Sequence, residues 1–191
     1  MHINVICYGD SNTYGYDPRS YFGDRYASGS RWVDILARKT GWNIENQGMN
    51  GRGIPGVPVS FPKETDLLIV MLGTNDLLLG RSPEGTAQRM ERFLGQTGLA
   101  PDKILLIAPP PMVMGTWVED MGLIHASRAL AGAYGQLARE LAVKFANAGT
   151  WNVSLAFDGV HFTEDGHRAF ARGLYQTLNT LDKDLPVRPH A

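Results

Sequence analysis

Five residues of this chain have the types and positions that acyl transfer through a serine would need. Ser11 ends the stretch Ile3-Asn4-Val5-Ile6-Cys7-Tyr8-Gly9-Asp10-Ser11, an apolar run that breaks at Gly9 into a polar turn. A serine becomes a nucleophile only when a base takes its proton, and the base needs a partner to orient it. Asp158-Gly159-Val160-His161 supplies a carboxylate and an imidazole within four residues. The oxyanion that develops on a substrate needs donors. The Asn75 amide and the backbone N–H groups of Gly51 and Ser11 are candidates, Gly51 because a glycine backbone can approach a ligand closely. Each residue also has a local explanation. Ser11 and Asn75 could cap helices, Gly51 could serve a turn, and His161 could be a capping or core histidine. Taken singly, the local explanation is preferred; taken together, the five make a complete set.

The elements that must position them alternate between strand and helix. The first strand starts at Ile3. Trp32, Ile35 and Leu36 repeat at helical spacing until Gly41, and Trp42 to Asn46 forms a short second strand running into a glycine-rich turn, Gly48 to Gly53. Pro55, Pro58 and Pro62 make the next stretch extended. Asp66 to Leu72 is a third strand, and its unbroken apolar run implies burial on both faces, as in a parallel sheet. It ends in Gly73-Thr74-Asn75-Asp76. Ser82-Pro83-Glu84 starts a helix. Ile104 to Ala108 is the fourth strand. Met112 to Gly122, with Met114, Trp117 and Met121, reads as a packed loop in preference to a flap. A long helix from about Leu123 to Leu141, a fifth strand over Ala142 to Ala146 and a last helix from Thr163 complete the order. The expectation is an α/β domain over residues 1–185, with a frayed tail at 186–191.

These blocks resemble the SGNH (GDSL-type) hydrolases: Gly9-Asp10-Ser11 near the start, the glycine turn with Gly51, Gly73-Thr74-Asn75-Asp76 after the third strand, and Asp158-Gly159-Val160-His161 before the last helix. One block is weak evidence; four in order are strong. The resemblance implies a flavodoxin-like, three-layer α/β/α fold with a five-stranded parallel sheet in the order 2-1-3-4-5. It also implies Ser11 as nucleophile, Asp158 and His161 as its partners, and Gly51, Asn75 and the Ser11 N–H as the oxyanion hole. Gly48 is the alternative match for the glycine; spacing from Asn46 favours Gly51. The motifs look closest to the bacterial arylesterase and acyltransferase branch. Two features depart from it: Asn12 stands where that branch commonly has leucine, and the connection from Ile54 to Thr65 is short.

Composition narrows the field. The 191 residues carry 18 basic and 19 acidic side chains, a net charge of -1, which gives no electrostatic basis for nucleic acid or an anionic membrane. Cys7, the single cysteine, is expected to be buried and inert. No CxxC, HExxH or Gly-x-Ser-x-Gly pattern occurs, so neither zinc, nor any other metal or cofactor, nor an α/β-hydrolase elbow is expected. A first strand at residue 3 and the absence of a span-length apolar stretch point to a cytoplasmic protein. Asp10 is expected to brace its turn. His125 and His167 are expected on helix surfaces, His2 and His190 at the termini, and Arg19, Arg25 and Arg52 as solvated loop charges. The resulting expectation is a serine esterase acting on small esters with short acyl groups, acetyl among them. Its partner is a small-molecule ester, and oligomerisation is left open. The alternatives are an acyltransferase using the same acyl-enzyme and a flavodoxin-like binding module without catalysis.

Overall fold

The computed structural model describes residues 3–181. The expected 186–191 tail, His2 and His190 lie outside the described residues. Five strands, β1 (Asn4–Gly9), β2 (Asn43–Gly48), β3 (Leu67–Met71), β4 (Ile104–Ala108) and β5 (Lys144–Asn147), pair in parallel in the order β2-β1-β3-β4-β5. Side chains alternate across a strand, so each apolar run feeds two cores. Ile6, Tyr8, Leu68, Val70 and Leu106 face one cluster with Met90, Phe93, Ile124 and Tyr134. Val5, Cys7, Ile69, Met71 and Leu105 face the other with Trp32, Leu36, Phe170 and Leu174. The first cluster draws on α4 (Pro83–Leu94) and α5 (Met121–Leu141), the second on α2 (Trp32–Thr40) and α6 (Glu164–Leu181). This is a three-layer α/β/α arrangement. Burial of the Cys7 thiol pushes its pKa far up, which removes the thiolate and with it the reactivity.

Two short helices form where the sequence suggested only turns. α1 (Ser11–Tyr14) follows β1, and α3 (Thr74–Leu78) follows β3. Helices of four and five residues carry too few turns to show a periodic apolar pattern. β1 and β3 are neighbours, and the chain reverses its direction of sheet growth between them, so α1 and α3 sit at the topological switch point.

Some expectations are corrected. The local alternative for Ser11, a helix cap, is excluded: Asp10 is the cap, its carboxylate accepting the Asn12 N–H at 3.0 Å. His167 is fully buried, not on a helix surface, whereas His125 is exposed. Arg25 and Arg52 are part-buried and engaged internally: Arg25 donates to the Tyr14 carbonyl, and Arg52 donates to the Gly9 and Gln47 carbonyls while lying over the Tyr8 ring. Arg19 is a surface charge, paired with Asp17 and Glu164.

Candidate active site

β1 delivers Ser11. Gly9 ends the strand, Asp10 caps α1, and Ser11 is the helix's first residue, buried to 7% exposure. His161 arrives from the far end of the chain, with its Nε2 3.0 Å from Ser11 Oγ. Its Nδ1 lies 2.7 Å from Asp158 Oδ2. Asp158 Oδ1 accepts the backbone N–H groups of Val160 and His161, each at 2.9 Å. Burial raises the Asp158 pKa, but the hydrogen bonds from the His161 ring and from the two backbone N–H groups outweigh it and hold the carboxyl below its ordinary value. An ionised carboxylate only accepts. The Nδ1 therefore carries the proton, and Nε2 of the neutral ring is left bare toward the serine hydroxyl.

Two loops face this trio. After β2 the chain turns through Gly51, whose φ of 72° is left-handed and whose Cβ position meets nothing within 4 Å. Gly48, the alternative match, ends β2 with its Cβ position 2.1 Å from the backbone of Tyr14. Gly48 thus packs against α1, and Gly51 is the glycine that reaches the cavity. The Gly51 and Ser11 N–H groups have no acceptor among the described residues. After β3, Asn75 spends one amide hydrogen on the Arg52 carbonyl at 3.0 Å, which leaves a second for another acceptor. Asp76, 2% exposed, accepts the Ile54 N–H at 2.9 Å and pairs with Arg89 and Arg81. α3 thus holds the glycine loop at two points.

A cavity of about 220 Å³ opens over the serine, lined by Ser11, Gly51, Asn75 and His161 together with Tyr16, Asn50, Trp117 and Val160. The sequence reading missed the last four. The Tyr16 and Trp117 rings stand 4.6 and 5.0 Å from the His161 ring. Trp117 sits in the loop expected over 112–122, which ends at Asp120, the cap of α5, and is packed: Val113, Thr116 and Trp117 donate backbone N–H groups to the Gly159, Phe157 and Asp158 carbonyls. Its sequence context, a loop bounded by glycines, does not separate a cavity-wall aromatic from a surface one. A larger concavity of about 450 Å³ lies beside the start of α6, but it contains none of the five residues, and its Arg19 and Arg168 are paired with carboxylates. No group of three or more possible metal-ligating side chains occurs among the described residues.

Residues 7–169 match the model of the GDSL-like lipase/acylhydrolase family. The chain belongs to this family. The fold recurs in solved structures. A putative arylesterase from Agrobacterium tumefaciens is 29% identical with a TM-score of 0.79, over 94% of this chain and 99% of that one. A carbohydrate acetylesterase family member from Sinorhizobium meliloti is 26% identical, TM-score 0.79, over 94% and 98%. The M. Smegmatis aryl esterase is 26% identical, TM-score 0.76, over 94% and 99%. A search of curated protein sequences found no match. As a member of this GDSL family the chain is a carboxylic ester hydrolase. No described helix is long and apolar enough to cross a membrane.

Proposed function

We propose that this GDSL hydrolase cleaves small, neutral esters through an acyl-enzyme on Ser11. The observation that carries the reading is the unbroken relay Ser11 Oγ, His161 Nε2, His161 Nδ1, Asp158 Oδ2, with contacts of 3.0 and 2.7 Å. Ser11 Oγ attacks the ester carbonyl carbon while Nε2 takes the hydroxyl proton. Asp158 steadies the imidazolium without itself accepting the proton. The carbonyl π pair moves onto oxygen, and that oxyanion is met by the free Asn75 amide hydrogen and the Gly51 and Ser11 N–H groups. Collapse breaks the bond to the alcohol oxygen, which leaves with the proton from Nε2. Water then attacks the acyl-enzyme by the same route, His161 again taking and returning the proton, and the acid departs.

The substrate class follows from the lining. Among the described residues no Lys, Arg, Asp or Glu lines the cavity, and Arg52, the nearest basic side chain in sequence, is turned away to the Gly9 and Gln47 carbonyls. Its volume falls below the roughly 300–1,000 Å³ of drug-sized ligand sites. Both features favour short acyl groups, acetyl among them, on uncharged esters; the similar proteins described as an arylesterase and an acetylesterase agree with that preference. The test pairs a serine-directed fluorophosphonate with a p-nitrophenyl ester series of graded chain length. One adduct, absent in Ser11→Ala, and a kcat/KM that falls beyond short chains are expected. An adduct elsewhere, or turnover surviving in Ser11→Ala, refutes the assignment.

A further inference from the structure

Asn12 stands directly after Ser11, the proposed nucleophile. It does not face the cavity. Its side chain is 4% exposed and crosses to the other end of the chain. Nδ2 donates to the Val160 carbonyl at 3.1 Å. Oδ1 accepts the Phe162 N–H at 2.9 Å. One amide therefore grips the backbone on both sides of His161, bridging sequence separations of 148 and 150 residues. Asn12 is itself fixed: its N–H is held by Asp10, and its carbonyl accepts the Trp32 indole N–H at 2.9 Å.

We propose that Asn12 is a positioning residue that sets the reach of His161 to Ser11, and this rests on the Ser11–His161–Asp158 reading above. Among the described residues, the hydrogen bonds that join the His161 loop directly to α1 are the two from Asn12 and the one that catalysis itself uses; elsewhere the loop is held by the Tyr26 hydroxyl on the Phe162 carbonyl and by the Val113 and Trp117 N–H groups on the Gly159 and Asp158 carbonyls. Asp158 orients the imidazole within its own turn, but both belong to the same loop, so Asp158 cannot locate that loop relative to α1. Asn12 does this because it is adjacent to the serine and bonded to both neighbours of the histidine. Leucine has the same branched skeleton, though bulkier, and can make neither bond. The chemistry asks for both a donor and an acceptor on one short side chain, which Asn supplies. Misplacing a reacting group by about 1 Å can cost ~10²-fold in rate.

The experiment compares wild type, Asn12→Leu and Asn12→Ala. It measures kcat and KM on a short-chain p-nitrophenyl ester, the rate of fluorophosphonate labelling, and a thermal melt, with kinetics taken well below each variant's own melting point. Asn12→Ala leaves room for water to reach the Val160 carbonyl and the Phe162 N–H, so it keeps a folded protein to measure even where Asn12→Leu does not. Expected are a kcat and a labelling rate that fall together, by about 10–10²-fold on the same misplacement scale, and a KM within about twofold of wild type. A folded Asn12→Ala with a lowered melting point but near-normal kcat and labelling rate overturns the proposal, as does a rise in KM alone. The two readings fail separately. Wild type that is not labelled at Ser11 removes the Ser11 mechanism and this proposal with it, whereas labelled wild type and equally reactive Asn12→Ala remove only the proposal.

Discussion

Asn75 has two amide hydrogens, and the Arg52 carbonyl takes one. If the other meets the oxyanion, it acts on charge present only in the transition state, so its loss appears in kcat and leaves KM nearly unchanged. Asn75→Ala should lower kcat by roughly 10²–10³-fold, measured by steady-state kinetics beside a thermal melt. A melt shifted by several degrees with near-normal kcat would leave Asn75 as a turn former. Asp158→Asn keeps the shape but no longer demands a proton on Nδ1, and kcat should fall by about 10⁴-fold; a loss under tenfold would show that the tautomer is set elsewhere. At this scale much of the candidate site is legible. Ser11, Asn75 and His161 are polar residues placed where strands end or a helix is about to begin, and the structure brings them to one cavity. Trp117 and Tyr16 were not assigned to it, because nothing local tells an aromatic on a cavity wall from one on a surface. His167 was misjudged although its spacing was informative. It precedes Phe170 by three and Leu174 by seven, which is the apolar stripe of α6. Burial there pushes its pKa down to about 3, keeping it neutral, and its Nδ1 faces the Trp32 N–H at 3.4 Å.

Two loops, after β2 and after β3, carry the proposed oxyanion donors, and α3 ties them together. Gly73 makes this possible: its φ of 124° belongs to glycine, and a Cβ there would stand 2.7 Å from the Tyr134 hydroxyl. α3 then presents Asn75 to the Arg52 carbonyl and Asp76 to the Ile54 N–H. Removing the Asp76 carboxylate strands that N–H and leaves Arg89 without its carboxylate, though still donating to the Ile54 carbonyl, a change that costs about 3–5 kcal/mol when such a pair is fully buried; Arg89 is partly exposed and keeps that second bond, so the lower end applies. Asp76→Ala should therefore lower the melting point and kcat together, whereas Asp76→Asn, which can still accept from Ile54, should restore more of kcat than of stability. Equal losses in both variants would show that the ion pair, not the loop anchor, matters. The sequence showed the long elements because nine or more residues of helical period, or five of unbroken apolar type, leave a signal. It concealed α1 and α3, since a single helical turn leaves none, and these are the elements on which the site is built.

Across the molecule, the site is assembled from both ends of the chain on a sheet buried on both faces, so its charged parts are held in the dry interior. Asp158 and Asp10 answer to this in opposite ways. The folded pKa of Asp158 is depressed, so its contribution to stability is present above the unfolded value and is lost as pH falls through the folded one. Asp10 goes the other way. Burial raises its pKa from 3.8 to about 6, against the opposing pull of the Asn12 N–H and of the nearby His161 and Arg52 charges. A group whose folded pKa lies above its unfolded one contributes stability below the unfolded value, and that contribution is lost as pH rises through about 6. At pH 7.5 the ionised, buried Asp10 therefore works against folding by about 3 kcal/mol, at ~1.4 kcal/mol per pKa unit. Asp10→Asn keeps the volume and the acceptor that caps α1 while removing the charge. Its melting point should exceed that of wild type by several degrees at pH 7.5, and the gap should shrink toward pH 4, where wild-type Asp10 is protonated. The gain comes with a loss. The Asp10 carboxylate attracts a protonated His161, the species that would form in the proposed attack by Ser11, so kcat should fall several-fold in the same variant, a trade of activity against stability common at such sites. Melts at pH 4, 5.5 and 7.5, alongside kcat at 7.5, decide it. A destabilisation of equal size at all three pH values, with kcat unchanged, would mean that Asp10 serves α1 only as a cap and that its charge bears on neither stability nor catalysis.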